Sequence, residues 1–583
     1  MENTTTKIDQ TIIEKAKTWL STNYNQETRT EVQRLIDHQA DDLVESFYKD
    51  LEFGTGGLRG IMGVGSNRIN KYTVGMTTQG FANYLKSQFR DLEEIKIVIG
   101  YDCRNNSQLF AQITADVMSA NGIKAYLFEN LRPTPEISFA IRELNCQGGV
   151  IITASHNPKE YNGYKVYWDD GGQLVAPHDK NVIDEVRKIT NIAAVNFNPQ
   201  KNLIEELGEE MDGLFIKALK KVSLSPEIIQ KQKDLKIVFT PIHGTSYKLV
   251  PQALKAYGFE NVTIVKEQAI PDGNFSTVHS PNPEEKAALD MAINLAKEID
   301  ADIVMGTDPD ADRVGIAVKN LEGEFEIING NQTGSLLVYY LLTKWAEQNR
   351  LDGKQFVAKT IVTTALIDSI CDAFKVDCYD TLTGFKFIAD LIKRKEGKQT
   401  FIGGGEESYG YLIGDFVRDK DAITSCAILA EIAAWAKEEG TTIYGKLIEI
   451  YTQHGLYKER LLSITKQGKS GAEEIQEMIH NLRTNPPTEI DGSKVVMIKD
   501  YQSLESINPI ENAKEAIDLP KSNVLQYFTE DGTKVTARPS GTEPKIKFYF
   551  SVKAPLNNKA EFKTINQQLE NKLDNVMQSL NLR

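Results

Sequence analysis

Gly149-Val150-Ile151-Ile152-Thr153-Ala154-Ser155-His156-Asn157-Pro158 is a short apolar run that ends abruptly in polar, turn-forming residues. Bounded in this way, it predicts a buried strand over 149–153 that delivers Ser155 into a loop at its carboxyl end. The pattern recurs along the chain. Residues 95–100 end in Tyr101-Asp102-Cys103-Arg104, and 235–239 end in Pro241-Ile242-His243-Gly244-Thr245. Residues 302–305 end at Asp308-Pro309-Asp310-Ala311-Asp312-Arg313. Two more such runs, 356–362 and 400–402, follow, the second leading into Gly405-Glu406-Glu407-Ser408-Tyr409-Gly410. A helix over Ser107–Ala120 fits between the first strands. Strand, polar loop and helix in repetition predict α/β domains with mixed or mainly parallel sheets. Folds of this class bind ligands in loops at the carboxyl ends of their strands.

The chain has 583 residues. At roughly 100–200 residues per domain, three to five domains are expected. Three similar α/β units fit near 50–215, 216–328 and 329–455. The first carries an N-terminal helical cap, in which Ile12, Ile13, Ala16, Trp19 and Leu20, then Val32, Leu35 and Ile36, fall near helical spacing. The tail, 456–583, differs. Asn485-Pro486-Pro487-Thr488 and Asp531-Gly532 separate short predicted strands over 493–498, 524–528 and 545–552, with helices over 471–483 and near 559–580. This predicts a separate α+β domain.

A net charge of −14 argues against nucleic acid or an anionic membrane as partner, because both need a cationic footprint. No stretch approaches 18 apolar residues, and the polar N-terminus lacks the apolar core of a signal peptide. The five cysteines include no CxxC pair, which fits reduced thiols in a cytoplasm. A phosphate ester bound by this chain needs a local basic cluster.

Four loops carry chemistry. Ser155 offers a hydroxyl that needs a base or cation to act as nucleophile. The G-x-S-x-G context of a hydrolase elbow is absent. Asp308, Asp310 and Asp312, at i, i+2 and i+4, project to one side if the loop is extended. Such carboxylates repel one another unless a cation sits among them, and hard oxygen donors suit Mg²⁺. An EF-hand is excluded by Arg313 and Lys319 at positions that would need glycine and glutamate. Glu406, Glu407 and Ser408 are suited to sugar hydroxyls. Arg538-Pro539-Ser540-Gly541-Thr542-Glu543-Pro544-Lys545 combines cations, hydroxyls and a glycine whose neighbouring amides suit an anion. It is not a Walker A loop. Lys386, in Thr383-Gly384-Phe385-Lys386, could meet phosphate or a hydroxyl. Together the loops imply serine phosphoryl transfer on a phosphorylated polyol.

Read in order from about residue 50, these loops resemble the α-D-phosphohexomutase superfamily, of the phosphoglucomutase/phosphomannomutase type. The resemblance implies four domains around a central cleft, with boundaries 1–215, 216–328, 329–455 and 456–583. It implies a phosphoserine at Ser155, and Mg²⁺ held by Ser155, Asp308, Asp310 and Asp312, with Arg313 on the phosphoryl group. Glu406 and Ser408 would bind sugar hydroxyls, and Arg538, Ser540, Gly541, Thr542 and Lys545 the second phosphate. Arg59, His156, Lys165 and Lys386 match positions of proton transfer or charge stabilisation. The implied activity is interconversion of glucose 1-phosphate and glucose 6-phosphate, with mannose phosphates as further substrates. It proceeds through a hexose 1,6-bisphosphate, in a cytoplasmic monomer or homodimer. Phe385-Lys386 replaces a Gly-His pair often seen in compact members, and the chain is similar to the longer phosphoglucomutase-2-like branch. That branch includes phosphopentomutases acting on ribose or deoxyribose 1-phosphate, although the Gly-Glu-Glu-Ser loop favours a hexose. A metal-dependent phosphoserine phosphatase would use the same serine and aspartates.

Overall fold

In the computed structural model, which describes residues 8–38, 41–52, 57–466, 468–541 and 544–582, the Ser155 run begins with a wholly buried strand, Gly148–Ile152. It belongs to a six-stranded sheet: β1 (Leu58–Ile61), β2 (Lys96–Tyr101), β3 (Lys124–Phe128), β4 (Gly148–Ile152), β5 (Tyr161–Trp168) and β6 (Ile204–Leu207). The order is β1-β5-β4-β2-β3-β6. β2 pairs parallel with β3 and β4, and β3 parallel with β6. β5 returns antiparallel to β4, and β1 antiparallel to β5. The link after Ser155 is shorter than the roughly dozen residues a parallel crossover needs, so β5 can only double back.

β5 was not anticipated, because Asn162-Gly163 is a pair that ordinarily marks a turn. Both residues serve the strand instead. The Asn162 amide donates to the Asn105 carbonyl (3.1 Å) and the Ser107 hydroxyl (3.0 Å). A Cβ on Gly163 would lie 2.4 Å from the Thr153 carbonyl oxygen, so only glycine lets β5 lie this close to the loop.

The second sheet contains β7 (Ile237–Thr240), β8 (Val262–Ile264), β9 (Ile303–Thr307), β10 (Val314–Lys319) and β11 (Phe325–Ile328), in the order β11-β10-β9-β7-β8. The third contains β12 (Gln355–Thr360), β13 (Asp377–Thr381), β14 (Thr400–Glu406) and β15 (Gly410–Ile413), in the order β13-β12-β14-β15. The fourth is antiparallel where β16 (Leu456–Thr465), β18 (Ser493–Asp500), β19 (Glu505–Asn508), β20 (Ala513–Ala516), β21 (Leu525–Thr529), β22 (Lys534–Pro539) and β23 (Lys545–Ala554) pair. A two-residue strand, β17 (Glu489–Ile490), joins β18. Helices Gly468–Thr484 and Phe562–Ser579 complete this α+β part. Three mixed α/β sheets and a C-terminal α+β part match the fold class read from the sequence. β16 and the β19–β20 hairpin were not read from it. β16 alternates half-buried with exposed residues and carries Lys458, Glu459 and Arg460, so no apolar run marks it.

The chain forms two compact units, one of residues 1–316 with 412–430, the other of residues 317–411 with 431–583. Among the described residues, no helix is long and apolar enough to cross a membrane.

The N-terminal helices Gln10–Thr18, Gln26–His38 and Asp41–Phe47 belong to the first unit's main core. Trp19 explains why. Its ring stacks on Tyr24 at 4.6 Å and meets Phe47 and Tyr72 edge-on, both at 5.7 Å. Tyr72 lies in the helix Lys71–Gln88, which packs beside Ser107–Ala120. Trp19→Ala therefore empties a core site as well as loosening a cap, and should destabilise the protein by about 3–5 kcal/mol. Urea unfolding of the variant checks this; an unchanged midpoint would show the cap to be dispensable.

Candidate active site

Ser155 is buried and sits at φ 54°, a left-handed conformation that a serine adopts only when its surroundings enforce it. Two contacts enforce it here. Its amide donates to the Thr153 hydroxyl (2.9 Å), and its carbonyl accepts from the Arg104 guanidinium. Arg104 also binds the carbonyls of Asn157, Pro158 (2.8 Å) and Tyr161 (3.0 Å). One buried arginine thus gathers the whole turn. Asp102 keeps that arginine in place, accepting its backbone N–H at 2.9 Å and lying 3.3 Å from its Nε.

The strained turn aims the Ser155 hydroxyl at the next loop, where Oγ donates to Asp308 Oδ2 at 2.8 Å. His156 Nδ1 lies 3.1 Å from the same oxygen. Asp308, Asp310 and Asp312 converge, with one ligand oxygen from each within 4.8 Å of the others, and all three are buried. The loop is not extended as the spacing suggested. Ala311 is left-handed (φ 54°), and Asp308 Oδ1 accepts the N–H groups of Asp312 (3.0 Å) and Arg313 (2.9 Å). The aspartate folds the chain over itself, which replaces the i, i+2 geometry of a strand. Gly244 supports this turn from below. A Cβ there would meet Pro309 Cα at 2.6 Å, and the Thr245 amide binds the Pro309 carbonyl at 2.8 Å. The neighbouring His243 is structural, bonded to the Ile270 carbonyl (2.9 Å) and Thr277 hydroxyl (2.8 Å).

Cations surround the trio. Lys165 Nζ lies 2.7 Å from Asp310 and 3.1 Å from Asp312. Lys420 lies 3.1 Å from Asp312 and 3.2 Å from Asp419. Arg313 binds Glu284 at 2.6 Å, and Arg59, in β1, donates to Asn157 Oδ1 at 3.1 Å. Thr134 donates to Asp310 through both its hydroxyl (3.0 Å to Oδ2) and its amide (2.9 Å to the carbonyl). The electrostatics follow. Burial and the two neighbouring carboxylates push Asp308 well above the usual carboxylate range. Burial also raises Asp310, but Lys165, the Asp308 hydrogen bond and Lys420 together outweigh it and hold that carboxyl well below its usual range. Burial, with Arg313 and Arg59 nearby, drives His156 well below its ordinary value, so it is neutral near pH 7. Asp310 Oδ1 and Asp312 Oδ1 are buried with no hydrogen-bond partner. Orphaned, converging carboxylate oxygens beside a raised Asp308 are the donor set a hard divalent cation requires.

The second unit holds the remaining loops. β14 runs through Glu406, so the first half of the expected sugar loop is strand and only Glu407-Ser408-Tyr409 turns. Glu406 Oε1 accepts the Gly384 amide at 2.8 Å. This ties the loop to the start of the helix Phe385–Lys395, whose second residue is Lys386. Glu407 is raised by burial and by Glu406, with Thr360 and Arg538 opposing. Arg538 is therefore within electrostatic reach of the glutamates. It stands near the end of β22, with Tyr549 Oη 3.5 Å away. The expected phosphate loop is shorter than 538–545, because Arg538 and Lys545 belong to β22 and β23. Ser540 donates its amide to the Lys545 carbonyl at 2.7 Å and closes the turn, leaving Gly541 exposed. Thr542 lies outside the described residues.

Within the first unit the structure brings together Ser155, His156, Arg59, Lys165, the aspartate trio and Arg313. Within the second it brings Glu407, adjoining Glu406, within electrostatic reach of Arg538. Sequence reasoning missed Lys420, Asp419, Thr134 and the clamp made by Arg104. Arg418-Asp419-Lys420-Asp421 is a dense charge run immediately before the apolar helix Ala422–Glu438. That is a signal, since so many charges at a buried helix start need partners.

Comparison with known proteins agrees with this geometry. Residues 50–193, 214–323 and 329–452 match three family models, described as phosphoglucomutase/phosphomannomutase alpha/beta/alpha domains I, II and III. A phosphoglucomutase of Staphylococcus haemolyticus is 37% identical over 551 residues, covering 92% of this chain and 97% of the relative. One from Staphylococcus epidermidis is 39% identical over 535 residues, covering 89% and 96%. Two solved structures share the fold. A phosphoglucomutase/phosphomannomutase family protein from Burkholderia thailandensis has TM-score 0.63 at 19% identity, covering 89% of this chain and 96% of its own. Parafusin, a phosphoglucomutase from Paramecium, in its open form, has TM-score 0.64 at 18% identity, covering 91% and 96%. A serine seated on buried carboxylates, in a chain with such relatives, defines an intramolecular phosphotransferase of the isomerase class. The chain belongs to the phosphoglucomutase/phosphomannomutase family.

Asp421, next to Lys420, gives a test of this buried charge run. It is fully buried, and burial pushes its carboxyl up to about 6 despite bonds from Thr424. A carboxyl raised in the folded state contributes most below its unfolded value, and that stability is lost as pH rises through about 6. Asp421→Asn should remove the dependence. Urea midpoints between pH 4 and 7 should fall for the native protein relative to the variant, by a stability equivalent of about 3 kcal/mol. Parallel pH profiles would contradict the assignment.

Proposed function

We propose that the chain interconverts glucose 1-phosphate and glucose 6-phosphate, with mannose phosphates as further substrates, by exchange of a phosphoryl group at Ser155. The observation that carries the reading is the Ser155 Oγ–Asp308 hydrogen bond at 2.8 Å, at a trio of buried carboxylates ringed by Lys165, Lys420 and Arg313. The relatives' names supply the sugar.

In this reading Asp308, Asp310 and Asp312 hold Mg²⁺ together with the phosphorylated Ser155. When bound, the ion would supply positive charge to a phosphoryl group at Ser155. Phosphoryl transfer demands in-line placement and charge neutralisation more than new covalent chemistry. Arg313 and Arg59 neutralise the phosphoryl group from the protein side. Lys165 and neutral His156 stand where a proton leaves or joins the sugar hydroxyl. Glu406 and Ser408 grip sugar hydroxyls, with Lys386 beside them. Arg538, Ser540, Gly541, Thr542 and Lys545 bind the phosphate that is not reacting. Phosphoserine first gives its phosphoryl group to the free hydroxyl, forming a hexose 1,6-bisphosphate. After reorientation, the serine takes back the other phosphoryl group. The domain limits that fit this division are 1–215, 216–328, 329–455 and 456–583. A cytoplasmic setting is supported by five cysteines that are all free.

The test is a mutase assay with Mg²⁺ and a trace of hexose 1,6-bisphosphate, comparing glucose, mannose and ribose 1-phosphates by kcat/KM. Preference for glucose is expected. Preference for ribose would move the enzyme to pentose chemistry, and stoichiometric inorganic phosphate release would make it a phosphatase. Ser155→Ala should keep the circular dichroism of the parent and lose steady turnover, by a factor of about a thousand or more. Normal turnover by that folded variant would sink the phosphoserine mechanism. EDTA should silence the native enzyme and Mg²⁺ restore it; full activity in excess chelator would remove the metal from the reading.

A further inference from the structure

Lys534, at the start of β22, is buried and aims its ammonium at two carbonyl oxygens, Thr363 (3.1 Å) and Ile361 (3.3 Å). A buried lysine spends much solvation for so little. The surroundings make the cost larger. Lys359, itself paired with Asp368 and Asp380, stands close by, and Glu459 completes the charged set. Burial and the Lys359 charge push Lys534 down to about 8. A neighbour makes the same connection. Gln526 Nε2 donates to the Ile361 carbonyl (2.8 Å) and the Thr536 hydroxyl (2.9 Å), while its Oε1 accepts from Tyr501 (2.7 Å). Apolar contacts seal the seam: Ile361, Val362 and Leu382 share one buried cluster with Tyr501, Val524 and Tyr549.

Both ends of this seam lead to recognition groups. On the β22 side, Lys534, Thr536 and Arg538 alternate and so share one face of the strand. On the other side, the bound segment is the turn after β12, where the Thr360 and Thr363 hydroxyls donate to Glu407 Oε2 at 3.2 and 3.3 Å. Glu407 adjoins Glu406. The path from Arg538 to the glutamates therefore consists of one strand, two side-chain donors and one short turn.

We propose that Lys534 and Gln526 are positioning residues that fix the spacing between the hydroxyl-binding glutamate loop and the phosphate-binding Arg538. The proposal rests on the roles assigned to Glu406 and Arg538 above. Neither positioning residue touches substrate. Each acts by holding the 361–363 turn to the strand that carries the arginine.

The experiment compares Lys534→Met and Gln526→Leu with the parent in the full chain. It reads kcat and KM for glucose 1-phosphate, together with the part of the inhibition by inorganic phosphate that Arg538→Ala removes, which reports the Arg538 subsite. If the spacing is what these residues set, KM rises about tenfold, because two-point binding is misaligned, while phosphate inhibition stays within about twofold. An unchanged KM in a folded variant overturns the proposal. So does phosphate inhibition that weakens in step with KM, which would make Lys534 a local support for Arg538. Should Lys534→Met fail to fold, Gln526→Leu decides alone, since it removes the second donor to the same carbonyl. Arg538→Ala separates the underlying reading: it should weaken both KM and phosphate inhibition, and if it weakens neither, the phosphate site itself is wrongly assigned.

Discussion

Three carboxylates buried side by side are the constraint to which the first unit is built. Two like charges about 4 Å apart repel by roughly 4 kcal/mol at an effective dielectric near 20, before any desolvation is counted. The adjacent Arg313 and backbone N–H groups compensate part of this, and distant segments add more. β5 doubles back beside β4 and carries Lys165 to Asp310 and Asp312. Residues 412–430 belong to the first unit although they follow most of the third sheet, and they bring Lys420 to Asp312. Thr134, the first residue of the helix Thr134–Glu143 that follows β3, adds two hydrogen bonds to Asp310. The returning strand and the returning segment thus both serve one electrostatic demand.

The second unit meets a milder form of the same problem differently. Glu406 and Glu407 are adjacent in sequence; Glu406 accepts from the Gly384 amide and Glu407 from the Thr360 and Thr363 hydroxyls. Neutral donors leave a carboxylate free to exchange partners at small cost, as a site for sugar hydroxyls requires. A full ion pair would have to be broken first. Lys534, in this unit's seam, donates to the carbonyls of Ile361 and Thr363.

Much of this was legible in the sequence, for a physical reason. Buried strands at the centre of α/β sheets are continuous apolar runs, and the loops after them hold the polar residues, so β2, β4, β7 and β9 stand out with Asp102, Ser155, His243 and Asp308 behind them. What escaped was whatever depends on partners far away in sequence. β5 looks like a turn until the close approach of its glycine to Thr153 is known. Arg104 was one polar residue among several until its carbonyl contacts were visible. Lys420 sits in a charge run that resembles a solvated loop. The aspartate loop was read as extended because the spacing suits a strand, whereas Asp308 folds it through its own side chain. His243 shows the converse, a promising motif histidine whose ring is fully occupied by a carbonyl and a hydroxyl.

The chain carries a net charge of −14, yet its chemistry concerns anions. At physiological salt, surface charge is screened beyond about 8 Å, so the balance that matters is local. In the first unit the cations are already engaged: Lys165 with Asp310 and Asp312, Lys420 with Asp312 and Asp419, Arg313 with Glu284. Pairing offsets burial: Asp310 and Asp312 together outweigh it at Lys165 and keep that ammonium charged. Pairing also weakens these cations as phosphate ligands, because a phosphoryl oxygen must compete with carboxylates that are already in place. That competition suits an exchange reaction. A group that must accept a phosphoryl oxygen and then release it gains nothing from binding both states tightly, and only the difference between them lowers the barrier. In the proposed reaction, cations shared between protein carboxylates and a passing phosphoryl group would provide that difference, whereas the same cations standing alone would hold the product.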